Sequence, residues 1–224
     1  IKMVKHDLLD FSVSELQNFC KDKNLPKFRA SQIWRWMYCF GFKSFDEMNN
    51  ISKLTRELLN DISLISRPQI SEMQISKDGT IKWLIKLKDN SEVETVYIPQ
   101  DDRGTVCLSS QVGCTLNCSF CHTGTQALVR NLTSGEIIGQ LMIVMDYLND
   151  WPSGKSDRKV TNIVMMGMGE PLLNYDEVCK AIKIMMSDDG IAISRRRITL
   201  STSGIIPNIE TVSYTHLRAH ETSE

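Results

Sequence analysis

The chain has 224 residues, 42% of them hydrophobic and 24% charged, with seven cysteines and a formal net charge of −1. That length supports one large or two small domains with a sizeable core, which excludes a disordered or collagen-like chain; the near-zero charge excludes nucleic-acid binding by bulk positive charge alone. No apolar run is long enough to span a bilayer, and no apolar stretch follows the start Ile1-Lys2-Met3-Val4-Lys5, so the sequence reads as a soluble cytoplasmic protein with no membrane partner.

Residues 1–67 carry 11 Lys and Arg against 8 Asp and Glu, the most basic stretch of the chain and a place for a substrate-binding unit. Ser12 precedes a helix through Leu16, Phe19 and Cys20. Pro26 opens a second helix, where Ile33, Trp34, Met37 and Phe40 recur at helical spacing until Gly41, and short helices follow at 46–48 and 53–59. From Pro68 the period changes to two. Ile70, Glu72 and Gln74, then Ile81, Trp83, Ile85 and Leu87, then Val93, Thr95 and Tyr97 are separated by turns at Lys77-Asp78-Gly79 and Asp89-Asn90, which predicts a three-stranded antiparallel segment over 68–99.

Over residues 100–211 strands alternate with helices. Strands are predicted at 105–110, 161–166 and 197–201, with a helix capped by Thr133 and running to Leu148 and another over 176–186. The fold class is therefore α/β, with helices packed on a parallel sheet that is too short to close a barrel. Residues 212–224 show no continuing periodicity and resemble a translated sequencing adapter. They are set aside from the fold, and the chain reads as truncated at its C-terminus.

Three of the cysteines form C-x3-C-x2-C: Cys114, Cys118 and Cys121, on the loop leaving the first of these strands. Crowded thiols suit metal ligation in a reducing compartment better than a disulfide framework. A structural zinc would need a fourth ligand such as Cys107 or His122, whereas an iron–sulfur cluster held by three cysteines keeps one iron open for a substrate. Gly167-Met168-Gly169-Glu170-Pro171 follows the second strand, where glycines admit a ligand close to the backbone and a carboxylate can accept from an ammonium. The third strand ends in hydroxyls, Ser201-Thr202-Ser203.

A three-cysteine motif with Phe120 before its last cysteine resembles the radical S-adenosylmethionine (SAM) superfamily. Together with Val93-Glu94-Thr95-Val96-Tyr97-Ile98-Pro99, Cys107-Leu108-Ser109-Ser110-Gln111-Val112-Gly113-Cys114, Met166 to Leu172 and Leu200 to Gly204, it resembles the RlmN family of 23S rRNA and tRNA adenine-C2 methyltransferases over residues 7–211. The resemblance implies a partial radical SAM β/α barrel, incomplete here, behind a helical RNA-binding domain and a short antiparallel segment. It implies a 4Fe-4S cluster on Cys114, Cys118 and Cys121, and SAM contacts at Gly169, Glu170 and Ser201. Glu94 matches the general base, and Cys107 matches the thiol that resolves a protein–RNA intermediate and ends in a disulfide. Partners implied are 23S rRNA, tRNA and an electron donor such as flavodoxin, for a monomeric enzyme. Family members use a second cysteine that carries the methyl group, and this sequence has no match for it. The chain is therefore expected to bind SAM without methylating RNA by itself. The alternative is a non-catalytic RNA-binding module stabilised by zinc on Cys107, Cys114, Cys118 and Cys121.

Other features have plainer readings. Trp34 and Trp36 fall on different faces of one helix, so one of them is expected in the core. Cys179, Met165, Met166 and Met168 read as packing positions, and Arg195-Arg196-Arg197 as a solvated face or a phosphate contact.

Overall fold

The computed structural model describes residues 5–113 and 127–204, together with the backbone of Arg218–Glu221. The chain starts with a helical unit of α1 (Val13–Asp22), α2 (Phe28–Tyr38) and α3 (Lys53–Ile62), closed by the parallel pair β1 (His6–Asp7) and β2 (Ser63–Leu64). Ser12 begins α1 with a reciprocal capping box: its Oγ accepts from Glu15 N at 3.3 Å and its own N donates to Glu15 Oε2 at 2.6 Å. Ile33, Trp34, Met37 and Tyr38 of α2 are buried, and Trp34 donates to Ser187 Oγ at 3.1 Å. Trp36 points elsewhere, stacked on Phe42 and donating to Asn50 Oδ1, so the two tryptophans divide as the helical period requires.

Among the described residues, seven strands form one open sheet. In space the order is β11 (Arg218–Glu221), β10 (Ile198–Thr202), β9 (Asn162–Met165), β6 (Arg103–Cys107), β5 (Glu92–Gln100), β4 (Ile81–Lys86) and β3 (Gln69–Ile75). The antiparallel meander and the parallel strands are continuous, because the β5–β6 hairpin pairs Pro99 with Gly104 and β6 then pairs in parallel with β9. The segment set aside in the sequence supplies a further parallel pairing, Thr199 with Arg218 through Thr202 with Glu221. The expected third strand begins one residue late, after Arg195–Arg197 coil into an exposed 3-10 turn, and the expected first strand ends at Cys107 rather than Ser110.

The helices α4 (Ser134–Leu148) and α5 (Tyr175–Met186) lie side by side. Strand alternation sends Ile81, Trp83, Ile85, Val93 and Tyr97 to the helix side, where Thr95 bonds Gln140 of α4 and Trp83 meets Tyr147 edge to face. From Ser134 to Met145 every residue of α4 except Glu136 is buried. A helix apolar nearly all round needs cover on more than one side. The sheet covers one side and the N-terminal unit the other, with Asp10 Oδ1 accepting from Gly135 N at 3.1 Å. Among the described residues no helix is long and apolar enough to cross a membrane.

Candidate active site

The parallel strands β6, β9 and β10 end together, and their loops are knotted by hydrogen bonds. Ser110 N and Gln111 N donate to Met168 O at 2.8 and 3.1 Å, Met168 N donates to Ser109 Oγ at 2.9 Å, and Ser109 Oγ donates to Glu94 O at 2.6 Å. The glycines of the 167–169 loop serve this junction. A Cβ on Gly167 would stand 2.8 Å from the backbone carbon of Leu108, and Gly169, at φ +91°, would place one 2.4 Å from Gln111 Cβ. The close approach they permit is that of two strand-end loops to each other.

Glu170 is buried between these loops. Its Oε1 accepts from Leu172 N at 3.0 Å and its Oε2 from Ser203 N and Oγ at 2.9 and 3.1 Å, tying the end of β9 to the end of β10. Its own N–H donates to Gln111 Oε1 at 2.9 Å. A carboxylate offers about four lone-pair sites, so one remains for a further donor.

Cys114, Cys118, Cys121 and His122 lie outside the described residues. The base of their loop is fixed, since β7 (Gln111–Val112) pairs antiparallel with β8 (Arg130–Asn131) and Val129 N donates to Val112 O at 2.9 Å. Gly113 has φ +74°, and a Cβ there would lie 2.2 Å from Ala127 O. Gly113 and Ala127, the described residues on either side of the three cysteines, thus stand together, and Gln111 of β7 ties this pair of strands to Glu170 at the carboxyl ends of the parallel strands.

The sheet face turned away from α4 brings Cys107 and Glu94 together. Cross-strand register sets Lys82 opposite Val96, Val96 opposite Cys107, Cys107 opposite Val164 and Val164 opposite Thr199, one row of alternate positions. Glu94 and Ser201 stand two residues further toward the strand ends on the same face. Glu94 is half-exposed and pairs with Lys82 Nζ at 3.0 Å. Burial pushes the Cys107 thiol up to about 11, and the Glu94 carboxylate adds to the rise while the Met166 amide, donating to the sulfur, opposes it. Ser201 is buried on β10. Cys20, Cys39, Cys107 and Cys179 are free thiols, and Cys179 packs in α5 as expected. Met165 and Met168 are buried too, whereas Met166, the first residue after β9, is exposed.

The sequence reading missed three supports. Gln140, fully buried on α4, accepts from Ser109 N at 2.9 Å and Thr95 Oγ1 at 2.8 Å and donates to Ser109 O at 3.0 Å. Asn174 donates to both Ser110 O and Leu132 O at 2.8 Å. Lys82 is the third. A glutamine within the apolar run of α4 and a lysine at a strand position facing away from Trp83 were the available signals.

Residues 6–65 match the family model of the ribosomal RNA large subunit methyltransferase N-terminal domain, and residues 108–215 match that of the radical SAM superfamily. The chain is 59% identical over 184 residues to a dual-specificity RNA methyltransferase RlmN of Phenylobacterium zucineum, covering 82% of this chain and 48% of that protein. To the RlmN of Zymomonas mobilis it is 55% identical, covering 90% of this chain and 52% of the relative. A crystal structure of a radical SAM methyltransferase from Sphaerobacter thermophilus superposes with a TM-score of 0.84 at 36% identity, over 93% of this chain and 60% of that one. The chain thus spans about half the length of the curated relatives it matches. Its two successive family matches, its identity to these relatives and its fold place it in the RlmN family of the radical SAM superfamily.

Proposed function

We propose that this chain carries the cofactor-binding part and two reacting side chains of a radical SAM methyltransferase acting on adenine C2 of 23S rRNA and tRNA. The observation that carries the reading is the convergence of Glu94, Cys107 and Ser201 on one open sheet face, beside the buried Glu170 and the base of the three-cysteine loop. A cytoplasmic monomer supplied with electrons by a flavodoxin-type donor completes the reading.

The donor set fits the two cofactors. Cys114, Cys118 and Cys121 would ligate the 4Fe-4S cluster, and the remaining lone pair of Glu170, with Gly169 and Ser201, would receive SAM. When bound, these groups supply the methyl group and the one-electron chemistry that an electron-poor, non-nucleophilic carbon requires. Glu94, half-exposed on the open face, takes the proton from adenine C2. Cys107, protonated at rest, would attack as a thiolate the sulfur of the second, methyl-carrying cysteine that this sequence lacks, forming the disulfide as that sulfur's bond to the RNA-linked carbon breaks and its electron pair stays with the carbon, which takes up a proton; until then its thiol is kept from reaction by burial and by the neighbouring carboxylate.

Anaerobic reconstitution with iron and sulfide tests this reading. The expected product is a brown protein holding about four irons with matching sulfide, which cleaves SAM when given a low-potential reductant and loses that cleavage in Glu170→Gln. A colourless chain holding one zinc and no sulfide would establish the zinc-stabilised module instead.

A further inference from the structure

Lys82 lies on the open face, and nothing in the reaction described above uses it. Its row places it across Val96 from Cys107, and two strand spacings put the two Cα atoms roughly 10 Å apart. Its ammonium leans toward the next row and meets Glu94 Oε1 at 3.0 Å. Facing Cys107 among the described residues are Glu94 and Val96 on β5, Lys82 on β4, Asn162 and Val164 on β9 and Thr199 on β10, of which Glu94 and Lys82 carry charge; one strand further out, Glu72 of β3, opposite Leu84, adds a carboxylate to the hollow that Lys82 and Glu94 line and stays the same in every variant below.

We propose that Lys82 is a positioning residue for both reacting groups: it holds the Glu94 carboxylate over the sheet, and once Glu94 is protonated its uncovered charge favours the Cys107 thiolate. The inference rests on the reading of Glu94 as base and Cys107 as resolving thiol. While Glu94 is ionised, the pair presents cancelling charges to Cys107, with the carboxylate the nearer, and the thiol stays protonated. When the C2 proton has moved to the Glu94 carboxylate, the pair carries one positive charge. The Cys107 proton then leaves to water, and the thiolate forms after the base has acted rather than before. At an effective dielectric of about 20, a unit charge at roughly 10 Å is worth about one pH unit. An ordinary exposed cross-strand ion pair would matter little anywhere, and least of all at a thiol two strands away.

Alkylation of Cys107 by iodoacetamide, quantified on its own peptide by mass spectrometry across a pH series, tests this without cluster, SAM or RNA. A failure here is therefore distinct from a failure to methylate. Glu94→Gln imitates the protonated base and is expected to lower the alkylation midpoint relative to the unaltered chain. Adding Lys82→Met to that variant should raise the midpoint again by about one pH unit, a tenfold loss of rate below it, while Lys82→Arg in the same background should leave it in place. Equal midpoints for Glu94→Gln with and without Lys82→Met would overturn the proposal, as would a Lys82→Arg shift as large as that of Lys82→Met.

Discussion

On the face of the sheet covered by α4, Ile81, Trp83, Ile85, Val93, Val106 and Ile163 are all buried, while on the opposite face Lys82, Leu84, Glu94, Val96, Cys107 and Val164 stay partly exposed. The same strands supply both sets, residue by residue. Burying one face stabilises the sheet through apolar area, at roughly 25 cal/mol per Å². The other face is thereby free to hold a charge pair, a thiol and a serine that contribute little to folding and can be spent on chemistry. Neighbouring residues on one strand should therefore respond very differently to the same truncation.

Ile163 and Val164 give the sharpest contrast, adjacent on β9 and pointing to opposite faces. Ile163→Ala leaves a cavity in the sheet–helix core and should lower urea stability by about 2–5 kcal/mol. Val164→Ala, on the open side, should cost less than about 1 kcal/mol. Equal losses would show that the second face is packed as tightly as the first. A smaller effect of a different kind is expected at Gln140, which with Thr95 puts polar atoms on the covered side. Gln140→Leu leaves Ser109 N, Ser109 O and Thr95 Oγ1 without this partner in a buried site, at a cost of about 2–3 kcal/mol. Amide hydrogen exchange should speed at Ser109 and Gln111 before it does at Ile163. A loss below about 1 kcal/mol would mean that water replaces the carboxamide.

Much of this division was legible in the sequence. Period-two alternation in Ile81-Lys82-Trp83 and Val93-Glu94-Thr95 marks which residues face the helices, and the helices are where apolar spacing and Thr133 place them, with Thr133 Oγ1 accepting from Glu136 N. The motif residues Cys107, Glu170 and Ser201 share one edge because the carboxyl ends of the parallel strands meet there, and Glu94 joins that edge because antiparallel β5 begins at it. Other features were illegible because they depend on register between segments distant in the chain. Lys82 meets Glu94 only because β4 pairs with β5 at that offset, and Glu170 meets Ser203 only because β9 and β10 pair in parallel and the segment after β9 folds back to the end of β10. The sequence offers the 167–169 glycines as room for a ligand, and the fold gives them a second task. Their positions beside Leu108 and Gln111 show a contact between loops, which no local pattern encodes. Arg218–Glu221 becomes a strand through pairing with β10, against the absence of any periodicity of its own.

The smallest effect separates two thiols, Cys20 in the core and Cys107 on the open face. Cys20, in the core between α1 and α2, and Cys107, on the open face, are both pushed up to about 11 from an ordinary value near 9, in each case chiefly by burial. A raised value means that the folded chain holds these protons where the unfolded chain has lost them. The contribution is complete below about pH 9 and is lost as pH rises through about 11. By pH 10 each thiol should have cost about 1 kcal/mol of stability relative to neutral pH. Cys20→Ala should remove its share of that decline in urea midpoints whatever stands at position 94. The share removed by Cys107→Ala should shrink in Glu94→Gln, because the carboxylate acts on Cys107 while Arg29 is the charge felt by Cys20. If Glu94→Gln altered both shares alike, the charge on the open face would be reaching through the sheet, and the two faces would not be electrostatically separate.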